Sequence, residues 1–203
     1  MKKSLLPLAI CAGMSASAFA QTNVTLYGLV DIGIAYEKGD GGSVIKLDGS
    51  GMHSGNRVGF RGTEDLGGGT SAIFVLETGF NADTGGLAQG GLIFGRQSFI
   101  GLKGNWGAVT AGRQYSPHWA AIDSLDPMDG ITGGAFNLMR RTVRTDNTVM
   151  YATPNMSGFS GQLAYGFGEV AGDISASRVL GGALVYANGP VTVKLAHHNA
   201  KNA

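Results

Sequence analysis

The chain has 203 residues, a formal net charge of +1 and 35 glycines. A near-neutral charge argues against a nucleic-acid binder, which needs a basic face. Each glycine inside a helix costs about 1 kcal/mol relative to alanine, so this glycine content excludes a mostly helical protein. The length by itself suits one domain, or two at most.

The first twenty residues have the three parts of a secretory signal peptide. A basic start with two lysines is followed by an apolar run and by the small-residue end Ala18-Phe19-Ala20. We expect cleavage before Gln21, and therefore a signal peptide at 1–20 and one structural domain at 21–203. The only cysteine, Cys11, leaves with the signal peptide, so no disulfide is expected in the exported chain.

The exported part begins with a long alternating segment. Along Val24–Glu37 the even positions are apolar apart from one glycine, and most odd positions are polar or small. This period of two predicts a β-strand with one apolar face. Its length exceeds the five or six residues of an average soluble strand and suits the roughly ten residues that cross a bilayer. No later apolar run approaches the roughly 20 residues of a transmembrane helix, so a membrane form would have to be β-structure.

Nine strands are predicted in all, and short turns alternate with long connections between them. The predicted strands are 24–37, 55–63, 70–81, 94–103, 107–115, 142–153, 158–168, 177–187 and 190–199. The predicted long connections are 38–54, 82–93, 116–141 and 169–176. Short turns at one edge and long loops at the other are typical of an outer-membrane β-barrel. The alternative fold is a secreted β-sandwich, but its strands are usually shorter.

Four segments resemble the general porins of Gram-negative bacteria, most closely the β-proteobacterial type. They are NVTLYGLVDIGIAY (23–36), NRVGFRGTEDLGGGTSAIFVLETGF (56–80), FGRQSFIGLKGNWGAVTAGRQYSP (94–117) and NTVMYATPNMSGFSGQLAYG (147–166). The resemblance implies an all-β fold, a transmembrane antiparallel β-barrel of sixteen strands. It also implies a homotrimer in the outer membrane, in which each subunit has a water-filled pore narrowed by an inward-folded third extracellular loop.

Only about nine of the sixteen strands are predicted in this chain. Sixteen strands with their connections need on the order of 320 residues, at about 20 residues for each strand and connection. We therefore expect 21–203 to be the N-terminal part of an incomplete porin barrel domain. A half-barrel in lipid would leave two unpaired edges, where each unsatisfied backbone group costs several kcal/mol.

The candidate pore-lining residues are arginines. Arg57 and Arg61 lie four residues apart on one predicted strand and so share a face, with Val58 and Phe60 on the opposite face. Because an arginine at the bilayer midplane costs about 2–4 kcal/mol, the two arginines should point to the lumen. The predicted basic set is Arg57, Arg61, Arg96, Arg113, Arg140, Arg141 and Arg144. The resemblance implies that such arginines form a basic wall of the pore.

Alternatives stay open for single members of this set. Arg113 has the parity of Val109 and Ala111, so it needs a β-bulge or a position beyond the bilayer to reach the lumen. The pair Arg140 and Arg141 can anchor the returning loop instead of lining the pore. Any one arginine can also form an ordinary salt bridge on the wall; the available carboxylates are Glu64, Asp65 and Glu77.

The connection 116–141 corresponds, through the resemblance, to the constriction loop. Its candidate acidic residues are Asp123, Asp126 and Asp129. An acidic loop opposite a basic wall would produce a transverse field that favours small polar solutes over apolar ones. The alternative is a solvated loop whose aspartates cap turns.

No enzymatic or metal site is predicted. The chain has no Gly-x-Ser-x-Gly elbow and no phosphate-binding Gly-x4-Gly-Lys-Ser/Thr segment. His197 and His198 are neighbours on a predicted strand, so they point to opposite faces and cannot hold one metal ion together. His53 and His118 lie in predicted loops. We expect no cofactor, no catalytic residue and no nucleic-acid partner.

Two functions remain at this stage. The first is an outer-membrane diffusion porin, with membrane lipid, ions and small hydrophilic solutes as its partners. The second is a structural or adhesive outer-membrane barrel with a plugged lumen; small residues on the predicted lumen face, such as Gly59 and Gly79, favour the open pore. Aromatic residues at predicted strand ends suit interfacial girdles and equally suit packing; they are Tyr27, Tyr36, Phe80, Tyr151, Phe159 and Tyr165.

Overall fold

A computed structural model describes residues 23–125 and 142–201. Within these ranges the chain forms eleven β-strands and one short α-helix. The strands are β1 (Asn23–Leu29), β2 (Gly33–Gly39), β3 (Gly42–Asp48), β4 (Arg57–Gly67), β5 (Thr70–Gly79), β6 (Gln97–Gly104), β7 (Gly107–Tyr115), β8 (Arg144–Ala152), β9 (Phe159–Gly166), β10 (Val179–Asn188) and β11 (Val191–Ala200). The helix α1 (Pro117–Ile122) follows β7, and 3-10 turns lie at Gln89–Gly91 and Asp123–Leu125. The predicted signal peptide lies outside the described residues.

Nine of these strands form one antiparallel sheet in the order β1-β4-β5-β6-β7-β8-β9-β10-β11. From β4 onward, strands that are neighbours in the chain are neighbours in the sheet, which is the up-and-down arrangement. β1 and β11 are the end strands of the sheet in the part of the chain described. This topology confirms the predicted all-β antiparallel fold. No helix among the described residues is long and apolar enough to cross a membrane.

The first predicted strand is wrong in one respect, because it is two strands in the structure. β1 ends at Leu29, and β2 pairs with β3 in a separate two-stranded ribbon where a loop at 38–54 was predicted. The physical reason is a set of contacts around Asp31. Its carboxylate accepts hydrogen bonds from the backbone N–H groups of His53 (2.6 Å) and Ser54 (2.8 Å). Because of these bonds the chain leaves the β1–β4 ladder after Leu29. The sequence alternation continues through this break, so it does not reveal it.

The other eight predicted strands begin and end within four residues of the observed ones. The predicted alternation of short and long connections is also confirmed. Two-residue turns connect the strands of three hairpins in the nine-stranded sheet, at Gly68-Gly69, Asn105-Trp106 and Gly189-Pro190. Gly68 and Gly69 have φ of 61° and 75°, a left-handed conformation that a two-residue hairpin turn requires and that glycine adopts without strain. Long connections leave the opposite ends of the strands.

The two faces of the nine-stranded sheet reverse the usual pattern of burial. One face, the outer face, exposes large apolar side chains, among them Leu163, Leu184 and Leu195, which are 60%, 65% and 67% exposed. The largest fully buried side chains are mostly polar and include Gln114 and Thr148. Scattered apolar residues are normal on a soluble protein, but a continuous apolar face needs an apolar surrounding. The opposite face, the inner face, is the one against which α1 lies.

Adjacent residues of β11 allow this assignment of faces to be tested. Leu195 lies on the outer face opposite Leu184, and Ala196 lies on the inner face opposite Ala183. We expect Leu195→Arg to lower the free energy of unfolding by about 2–4 kcal/mol, because it places a charge in the hydrocarbon layer. Ala196→Arg is the matched control and should cost much less. Guanidinium unfolding of the protein in lipid vesicles measures both; equal losses would contradict the assignment.

Candidate functional site

A buried ion pair between Glu77 and Arg96 joins the end of β5 to the residue before β6. The Nε atom of Arg96 is 2.7 Å from Oε1 of Glu77, and the side chains are only 9% and 4% exposed. The backbone N–H of Arg96 also donates to the carbonyl oxygen of Glu77, at 3.1 Å. The end of β5 and the residue before β6 are thus joined by both main chain and side chains.

Two tyrosines supply the further hydrogen bonds that a buried ion pair needs. The hydroxyl of Tyr27, on β1, donates to Oε2 of Glu77 at 2.8 Å. Nη2 of Arg96 donates to the hydroxyl oxygen of Tyr115, at the end of β7, at 2.9 Å. Both carboxylate oxygens of Glu77 therefore have donors, and charge on the inner face is held in a fixed position.

Two further arginines stack on these tyrosines. The guanidinium carbon of Arg61 lies 5.3 Å from the ring centre of Tyr27, and that of Arg144 lies 4.7 Å from the ring centre of Tyr115. Nη2 of Arg144 also donates to the Tyr115 hydroxyl oxygen at 3.2 Å. We call this set the arginine–tyrosine network; its members are Arg61, Tyr27, Glu77, Arg96, Tyr115 and Arg144. Three guanidinium groups face one carboxylate in it, so the network is positively charged.

Two described arginines outside the network, Arg57 and Arg113, have other partners. Nε of Arg57 donates to the carbonyl oxygen of Gly55 at 3.1 Å, and its Nη2 contacts the Ser54 hydroxyl. Nε of Arg113 donates to the carbonyl oxygen of Gly95 at 2.8 Å, and its Nη1 pairs with the largely exposed carboxylate of Asp146. The register of β7 against β8 shifts between Gly112 and Gln114, beside Arg113.

The connection after β7 is fixed at both ends by Ser116. Its fully buried hydroxyl accepts a hydrogen bond from the Trp119 N–H (3.0 Å) and donates one to the Thr142 carbonyl oxygen (2.5 Å). Its backbone N–H donates to the carbonyl oxygen of Val143 at 3.0 Å. Ser116 is thus the N-cap of α1, and the two ends of the connection are held together.

The helix α1 turns back onto the inner face and contacts β9, β10 and β11. Gly181 on β10 makes room for it, because a Cβ atom there would lie 3.2 Å from Cδ of Pro117. The Trp119 ring stacks on the Tyr115 ring, with centroids 6.5 Å apart. The connection therefore begins over the inner face, in contact with the arginine–tyrosine network.

Six of the predicted site residues lie in the described part of the chain. Arg57, Arg61, Arg96, Arg113 and Arg144 are described, and the structure brings Arg61, Arg96 and Arg144 into one network. Asp123 lies in the 3-10 turn after α1. Four predicted residues lie outside the described residues: Asp126, Asp129, Arg140 and Arg141. The salt-bridge alternative is confirmed for Arg96 with Glu77.

The sequence interpretation missed the roles of two tyrosines. The sequence left Tyr27 open between an interfacial girdle and packing, whereas in the structure its hydroxyl donates to Glu77 on the inner face. Its odd position within the alternating segment was a signal for that placement. Tyr115 carried no signal, since a register shift separates it from the regular part of β7. Among the described residues, no group of three or more histidine, cysteine, aspartate or glutamate side chains is placed to hold a metal ion.

The chain matches the family model of the Gram-negative porins over residues 8–203. It belongs to this family. Outer membrane porins of Bordetella pertussis and Delftia acidovorans are 40% and 38% identical to it, and each match covers 100% of this chain and 61% of the relative. The chain thus spans about three fifths of the length of these relatives. The family is one of outer-membrane proteins, so the predicted location and barrel type are confirmed.

Solved porin structures have the same fold. An anion-selective porin from Comamonas acidovorans superposes with a TM-score of 0.74 at 33% identity, over 89% of this chain and 59% of that one. OmpF of Salmonella typhi superposes with a TM-score of 0.65 at 20% identity, over 89% of this chain and 55% of that one. The nine-stranded sheet of this porin therefore corresponds to part of a larger antiparallel barrel.

Glu77 and Asp146 each pair with an arginine, but Glu77 is buried and Asp146 is exposed, so their contributions to stability can be compared. We expect Glu77→Gln to lower the free energy of unfolding by about 3–5 kcal/mol, because Arg96 stays buried without its partner. Asp146→Asn is the matched control; it removes a carboxylate from the exposed pair with Arg113 and should cost about 0–1 kcal/mol. Denaturant unfolding of the two variants measures the difference. A cost for Glu77→Gln as small as that of Asp146→Asn would show that the buried pair does not stabilise the fold.

The loop around Asp31 should respond to acid. The backbone N–H groups of Ser54 and His53 hold the pKa of Asp31 below its ordinary value. The ionised carboxylate therefore stabilises this loop above the ordinary pKa, and the contribution is lost as the pH falls through the lowered pKa. We expect the Ser54 amide resonance, followed by NMR, to move below about pH 4. Asp31→Asn should abolish the movement, and Asp40→Asn, in the turn of the ribbon, should leave it unchanged.

Proposed function

We propose that this porin, in its complete form, is a water-filled channel for passive diffusion of ions and small hydrophilic solutes across the outer membrane. The observation that carries the proposal is the inner face itself, where a connected set of charged and polar side chains lies behind an apolar outer face. Such a face suits contact with water and dissolved ions. No catalytic group and no cofactor is part of the proposal.

The inward course of the connection after β7 supports a constriction at this level. The helix α1 lies over the inner face of β9–β11, and Ser116 ties the start of the connection to its end. The arginines of the network lie on β4 (Arg61), directly before β6 (Arg96) and at the start of β8 (Arg144). We assign the basic lining of the pore to Arg57, Arg61, Arg96, Arg113, Arg140, Arg141 and Arg144, and the acidic residues of the constriction loop to Asp123, Asp126 and Asp129.

The excess of guanidinium groups supports a weak preference for anions. Glu77 is the only carboxylate of the arginine–tyrosine network, and it pairs with Arg96. The charges of Arg61 and Arg144 are therefore not compensated within the network. The related Comamonas porin is described as anion-selective, which agrees with this sign. Loop aspartates act in the opposite direction and weaken the preference.

The complete protein is proposed to be a homotrimer in contact with outer-membrane lipid. The family supports this assembly, and the exposed apolar outer face supplies the surface for neighbouring subunits and lipid. A structural or adhesive barrel without an open pore remains the second candidate. It would show no conductance steps in a planar bilayer, whereas the proposed channel would.

Ion selectivity tests the basic wall. We expect the double variant Arg57→Gln, Arg61→Gln to shift the reversal potential under a potassium chloride gradient toward cations. At about 7 Å in water a unit charge changes the energy of a passing ion by about 0.6 kcal/mol, so removing two charges should change the permeability ratio several-fold. Lys38→Gln, in the β2–β3 ribbon, is the control and should leave the potential unchanged. An unchanged potential in the double variant would contradict the basic wall.

A further inference from the structure

Two histidines join α1 to the wall of the sheet. His118 lies on α1 and His198 on the inner face of β11, with ring centroids 6.2 Å apart and planes at 48°. Nδ1 of His118 and both ring nitrogens of His198 are buried and have no hydrogen-bond partner among the described residues. The contact is therefore one between two half-buried imidazoles, with three buried ring nitrogens that have no described partner.

The described strand residues around these rings are mostly uncharged. The side chains of β9 and β10 that face α1 are uncharged, and they include Gln162, Ala164, Gly181 and Ala183. On β11, Lys194 shares the face of His198, and His197 points to the outer face. Asp123, in the turn after α1, and Lys194 each have an interaction of their own. No described carboxylate forms a salt bridge with His118 or His198.

Protonation of this pair would oppose the docking of α1. A charged imidazole in a half-buried site with no described salt-bridge partner loses part of the hydration that the undocked form keeps. A second proton would place two like charges on rings whose centroids are 6.2 Å apart, and their repulsion would oppose docking further. The docked form thus binds fewer protons than the undocked form, and lowering the pH shifts the equilibrium toward the undocked form.

We propose that the His118–His198 contact is a pH-sensitive clamp, which holds α1 on the inner face when both imidazoles are neutral and releases it when they are protonated. An unperturbed imidazole changes its charge between about pH 5 and pH 8. Because docking disfavours the charged form, we expect release toward the acidic end of that range. Release would change the conductance, because α1 begins the connection assigned to the constriction. That consequence rests on the proposed channel function, whereas the clamp itself does not.

Trp119 is a built-in reporter of the clamp. It lies on α1 next to His118, and Trp106 is the only other tryptophan of the 203 residues. In a Trp106→Phe background, the protein is extracted in detergent from outer membranes, and Trp119 emission is recorded from pH 8 to pH 5. We expect a red shift and stronger quenching by acrylamide as the pH falls, because the ring leaves Tyr115 and becomes solvated.

Three variants in the same background decide the cause of the shift. His118→Gln and His198→Gln should each abolish the transition, and His197→Gln, on the neighbouring outward position, should retain it. The absence of a transition in the parent protein would overturn the proposal. A transition that persists in full in either His118→Gln or His198→Gln would overturn it as well, since the clamp needs both rings.

Channel recordings separate the clamp from the proposed function. In planar bilayers at pH 8 and pH 5, the parent protein should show a pH-dependent conductance that His198→Gln loses and His197→Gln keeps. A Trp119 transition without any conductance would support the clamp and contradict the channel. Conductance that is independent of pH, with no Trp119 transition, would support the channel and overturn the clamp.

Discussion

The hydrogen-bonded ladder of the nine-stranded sheet is the constraint on which the rest of this porin depends. In the hydrocarbon layer no water satisfies backbone N–H and C=O groups, so each strand must pair with a neighbour. Once the ladder is fixed, alternation sends every second side chain to the lipid and the others to the interior. The exposed leucines of the outer face and the buried polar residues of the inner face both follow from this division.

Charge on the inner face is held by a few directional contacts. Glu77 compensates Arg96, and the hydroxyl groups of Tyr27 and Tyr115 complete the hydrogen bonding on either side. Stacking of Arg61 and Arg144 on the same two rings aligns two further positive charges without neutralising them. The ion pair that joins β5 to the segment before β6 therefore also organises the groups proposed to face passing ions.

Local signals made most of the fold predictable. Alternation and glycine-containing turns depend on residues close in the chain, and eight of the predicted strands agree with observed ones within four residues. The pairing of Arg57 and Arg61 on one face followed from the same alternation. The break after β1 was not predictable, because it depends on bonds between Asp31 and residues more than twenty positions away, which leave the side-chain pattern unchanged.

The sequence alone therefore determined the strand order, the apolar face and the porin family. The first two follow from the alternation of neighbouring residues, and the family follows from long segments that occur in the family's order. Only the tertiary structure decided which arginines are neutralised, which tyrosines hold them and where α1 lies. Each of these depends on residues that the ladder brings together from distant positions, as Tyr27 with Glu77 and His118 with His198. Side-chain contacts of that kind arise from strand register, and register becomes fixed only when the whole sheet has formed.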